Sequence, residues 1–83
     1  MGLSATQRFL LEASRVAASD GYFDRRAVAS ALGYSAGESD VAIESLGARK
    51  LIVGLADGHA RLLDAGRRFA LQLEQKLARS GKP

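Results

Sequence analysis

His59 is the only histidine in the chain, and cysteine is absent. A histidine base or a thiolate nucleophile needs partners at reacting distance. His59 follows Asp57-Gly58, at the expected tip of a hairpin, where a tight turn supplies none. We read it as a surface residue. The chain has no phosphate-loop glycine pattern, no His-x-x-x-His pair and no Cys-x-x-Cys spacing of the kind that binds metals. Asp40 and Glu44 lie one helical turn apart and could flank a cation, but two carboxylates on an exposed helix ordinarily form a solvated edge. No metal site, no cofactor and no enzymatic activity are expected.

The remaining chemistry is cationic. Residues 1–50 carry six basic and six acidic side chains. Residues 51–83 carry six basic (Arg61, Arg67, Arg68, Lys76, Arg79, Lys82) against three acidic (Asp57, Asp64, Glu74). The net charge of +3 therefore comes wholly from the hairpin and the last helix. Such a patch attracts phosphates or anionic surfaces, although charge of this size also serves simply as a solubilising face.

With 83 residues the chain makes one domain, 1–83, with a thin core and no disulfide to staple it. Absence of cysteine fits a reducing cytoplasm. No apolar run approaches the roughly 20 residues of a membrane helix, so no membrane partner is expected. Met1-Gly2-Leu3-Ser4-Ala5-Thr6 matches a loose myristoylation pattern, which on so common a start we read as coincidence.

Four helices position these residues. Ser4-x-x-Gln7 is a capping box opening the first, with Phe9, Leu10, Ala13, Val16 and Ala17 on one stripe and a stop near Asp20-Gly21. Tyr22-Phe23 reads as an extended link, and Asp24 caps a second helix that turns Val28, Ala31 and Leu32 inward and ends at Gly33. Ser35-x-x-Glu38 opens the third, which runs to about Lys50 with Ala42, Ile43, Leu46 and Gly47 inward. Gly47 on that face suggests close approach of another backbone. The fourth runs from about 64 to 79 with Phe69, Ala70, Leu73 and Leu77 on one side.

Between the third and fourth helices, Asp57-Gly58 suits the two positive φ angles of a type I′ turn. A two-residue loop would set Val53 against Leu62 and Leu55 against Ala60 on the packed side, with Gly54 and Arg61 on the other.

The order helix, helix, helix, hairpin, helix contains a helix-turn-helix. The run from Phe23 to Ser35 resembles the second helix and turn of bacterial winged-helix regulators. Ile43-Glu44-Ser45-Leu46 with Arg49-Lys50-Leu51-Ile52 resembles the end of their third helix entering the wing, and Leu62-Leu63-Asp64-Ala65-Gly66-Arg67 resembles the wing exit of MarR-like repressors. The expected architecture is mainly α with a small β-hairpin: helix-turn-helix at about 24–50, wing at about 51–63 and C-terminal helix at about 64–79.

This resemblance implies a double-stranded DNA-binding transcriptional regulator acting as a homodimer, with the third helix in the major groove and the wing on an adjacent groove or the backbone. The corresponding DNA-contacting residues here are Arg25, Arg26, Ser35, Ser39, Val41, Ser45, Arg49, Lys50, His59 and Arg61. The amides opening the second helix could also hold a phosphate. The third helix is nevertheless poorly equipped. Its outward face is Gly37, Val41, Glu44, Ser45 and Ala48, edged by Glu38 and Asp40, and it holds none of the arginine, lysine, asparagine or glutamine side chains that read bases bidentately. The alternative reading is a winged-helix protein-interaction module that docks a partner through this acidic face or through the apolar strip of the C-terminal helix, without DNA binding. Leu11, Leu71, Leu73 and Leu77 are the candidates for a dimer contact between the first and last helices.

Overall fold

A computed structural model describes residues 3–80, so Met1 and Gly2 of the N-terminal pattern lie outside the described residues. Seven elements follow in order: α1 (Ala5–Val16), β1 (Tyr22–Asp24), α2 (Arg25–Leu32), α3 (Ala36–Ala48), β2 (Ile52–Gly54), β3 (His59–Leu62) and α4 (Asp64–Ser80). The protein is mainly helical with a small antiparallel sheet.

The helix starts obey local chemistry. Gln7 N–H donates to Ser4 Oγ at 3.1 Å while Ser4 N–H donates to Gln7 Oε1 at 3.0 Å, a complete capping box. Ser35 and Glu38 repeat it at the start of α3. Asp24 caps α2 by accepting from Arg26 N–H at 2.9 Å. Helix ends follow the Schellman pattern twice. At Gly33 (φ 72°), Tyr34 N–H reaches Ala29 O at 2.8 Å; at Lys50 (φ 60°), Leu51 N–H reaches Leu46 O at 3.0 Å.

α1 is the central helix, packing on α2, α3 and α4. Consecutive Phe9, Leu10 and Leu11 are all buried, which spans about 200° of the helix rather than one narrow stripe. Phe9 meets Phe23 edge-on at 6.3 Å and stacks near Tyr34 at 6.5 Å. The helix stops at Val16, earlier than Asp20-Gly21, because Ala17 already has extended dihedrals. Val16, the last residue of the helix, is 48% exposed. On α2 the buried pair is Val28 and Ala29, and Ala31 is exposed.

Two expectations about the β segments need correcting. Tyr22-Phe23 is more than a link: with Asp24 it forms β1, which pairs with β3 so that the sheet order is β1-β3-β2. The hairpin register also differs by one residue. Asp57 (φ 61°) and Gly58 (φ 74°) do adopt the two positive φ angles, and His59 N–H donates to Ala56 O at 3.3 Å. The next bond, however, runs from Leu55 N–H to His59 O at 2.9 Å, so Leu55 and Ala56 together face His59. This extra residue is a bulge on the β2 side. It sets Ile52 opposite Leu62, Val53 opposite Arg61 and Gly54 opposite Ala60. A one-residue slip exchanges the two faces: Ile52 is buried and Val53 is 40% exposed. Gly54 takes the place opposite Ala60, where a Cβ would make an ordinary contact 3.7 Å from Ile43 Cγ2.

Gly47 does not admit a close backbone; a Cβ there would lie an ordinary 3.8 Å from Ile52 O. The close approach is at Gly66 in the first turn of α4, where a Cβ would overlap the Leu51 carbonyl oxygen and stand 2.8 Å from Leu62 Cδ1. The same carbonyl accepts from Leu63 N–H at 3.0 Å. Gly66 thus lets α4 dock directly on the segment leaving α3.

Candidate functional site

Placement of α2, α3 and the hairpin tip brings several expected site residues together. Arg25 N–H donates to Gly58 O at 3.1 Å, continuing the β1–β3 ladder and tying the tip to the start of α2. A Cβ on Gly58 would lie 3.6 Å from Arg26 Nε, so the Arg26 side chain runs across the tip. Arg25 forms an ion pair with Asp40 of α3. Between these elements lies a cleft of about 300 Å³ lined by Arg25, Arg26, Ala29, Ala36, Ser39, Asp40 and Gly58.

The first two α2 amides are not open to a phosphate as the sequence suggested. Arg25 N–H is used by Gly58 O and Arg26 N–H by the Asp24 carboxylate. Arg61 is also less free than a surface strand position implies. Its Nε donates to Asp20 O at 2.9 Å, and its guanidinium carbon sits 5.6 Å from the centre of the Tyr22 ring. Arg67 donates to Ala18 O at 2.7 Å. Two cations of the basic half therefore tie down the carbonyls that follow α1. The sequence could not signal this, because the acceptors are backbone atoms more than 40 positions away in the chain.

On α3 the outer face is Gly37, Val41, Glu44 and Ala48, all exposed, with Val41 at 65%. Ser45 is half-buried. Ser39, expected near the bases, is only 5% exposed, because it lies on the side of α3 that faces α2. Ser35 is occupied as the cap of α3. The carboxylates are less hostile to an anion than their number implies. Asp40 is paired with Arg25, Glu38 closes the capping box, and Glu44 makes no ion pair among the described residues.

Arg49 and Lys50 are exposed at the end of α3, and His59 is exposed opposite Asp24 in the ladder. Among the described residues no three His, Asp or Glu side chains gather closely enough to hold a metal ion. Of the leucines expected at a dimer contact, Leu11 (5% exposed) and Leu73 (4%) are inside the core of the single chain and have little surface left to offer. Leu71 (55%) and Leu77 (37%) remain on the surface of α4. No helix among the described residues is long and apolar enough to cross a membrane.

No family model, no curated protein and no solved structure matches this chain.

Proposed function

We propose that the chain is a winged-helix domain that binds double-stranded DNA with little base specificity, as a transcriptional regulator. The observation that carries this reading is the attachment of the hairpin tip to the start of α2 through Arg25 N–H and Gly58 O. It holds α2, α3 and the hairpin as one unit, with Arg26 on one flank of α3 and Arg49 and Lys50 at its end, which supports the winged-helix reading. In this reading backbone contacts supply most of the affinity and duplex shape supplies the selectivity, since the α3 face offers Val41, Glu44 and Ala48 rather than bidentate readers. Arg61 acts mainly through the turn it braces. A second copy meets the first through the exposed Leu71 and Leu77 of α4.

Fluorescence anisotropy with duplexes of unrelated sequence tests this. Binding at low salt should weaken steeply as salt rises, with similar slopes for each duplex. Absence of binding at low ionic strength overturns the reading.

The alternative is a docking module for a basic protein, favoured by the exposed Val41 and by Glu44 on α3, which has no ion pair among the described residues. Glu44→Lys separates the two: it strengthens duplex binding in the first case and abolishes capture of the basic partner in the second.

A further inference from the structure

Resting on the DNA-binding reading, we propose that the cleft between α2, α3 and the hairpin tip is a socket for one phosphate group, which takes Arg25 over from Asp40. Three observations converge. Two guanidinium groups, from Arg25 and Arg26, line one cleft, and planar guanidinium forks match the oxygens of a phosphate. Asp40 already holds Arg25, so a carboxylate stands where a phosphate oxygen would bind; it is 68% exposed and can turn outward. Ser39 lines the same cleft and brings a hydroxyl donor to its wall. No buried side-chain oxygen or nitrogen among the described residues is left without a partner, so this hydroxyl is a donor for a ligand rather than an orphan that needs one.

The charges define how the socket works. Arg25 and Arg26 are opposed by Asp40 and by Asp24, whose carboxylate caps α2. They sum to zero in the free protein, so a lone anion is held weakly. A phosphate that displaces Asp40 gains both arginines and the Ser39 hydroxyl. Either a duplex backbone or inorganic phosphate can provide that group, and the two sources are distinguishable.

The test follows backbone amide resonances of the whole chain during titration with inorganic phosphate, with chloride at matched ionic strength as the control, and then with a duplex. Saturable shifts at Ser39 and Gly58 with phosphate are expected. Asp40→Asn should tighten the site about five-fold by removing one opposing charge, while Arg26→Ala should abolish saturation and Ser39→Ala should weaken it. The duplex should move the same amides and compete with phosphate. Shifts no larger than those with chloride, or no tightening in Asp40→Asn, overturn the socket. A duplex that binds without moving Ser39 and Gly58 overturns the socket and leaves the DNA reading standing. Phosphate saturation at the cleft with no duplex binding sustains the socket as a site for the free anion, and it is then the DNA reading that fails.

Discussion

Arg25 in the first turn of α2 is ion-paired with Asp40 of α3, 15 positions away in the chain. The pair joins α2 and α3 at the rim of the cleft. It also withdraws one cation and one carboxylate from the charges that a ligand meets.

Because the Asp40 carboxylate is largely exposed, the pair contributes little to folding. Asp40→Asn should change the unfolding free energy by less than about 1 kcal/mol in urea titrations. A larger loss would mean that the pair is structural and that Arg25 is not available for exchange.

The hairpin register gives a prediction with a definite order. Ile52→Ala removes a core side chain opposite Leu62 and should cost about 2–5 kcal/mol. Val53→Ala, on the outer face, should cost less than about 1 kcal/mol. With the two-residue loop and no bulge, that order would reverse.

Gly66→Ala places a methyl group against the Leu51 carbonyl at the entry to α4. Alanine normally favours a helix, yet here the overlap should dominate and destabilise the fold by about 1–3 kcal/mol. Thermal melting followed by circular dichroism measures it; a rise in Tm would contradict the close contact.

Lys50 sits at φ 60° as the left-handed closing residue of α3. Lys50→Gly relieves that conformation and should stabilise the protein by up to about 1 kcal/mol. Duplex affinity should fall at the same time, through loss of one cation near α3. Stability and binding moving in opposite directions is the signature to seek.

Arg61→Ala should lower stability by about 1 kcal/mol through loss of its bond to Asp20 O. Its effect on duplex affinity should be smaller than that of Arg26→Ala. Amide exchange at Gly21 should accelerate in the variant, since the turn it braces is loosened.

What the sequence determined by itself is local. The capping boxes at Ser4 and Ser35, the Asp24 cap, the Gly33 stop and the positive φ angles at Asp57 and Gly58 all depend on atoms within a few positions of each other, so residue type and spacing suffice. The poverty of the α3 outer face was legible for the same reason, from helical periodicity alone. Tertiary structure decided the rest. β1 exists because Tyr22–Asp24 finds β3, and the bulged register is the one that buries Ile52 and leaves Val53 outside. Leu11 is buried because three helices surround α1. The partners of Arg25, Arg61 and Arg67 are a carboxylate and backbone carbonyls distant in sequence, brought near only by packing. Whether a cation is free for a ligand or spent on the fold depends on which acceptors the folded chain brings within hydrogen-bonding reach, and no local pattern carries that information.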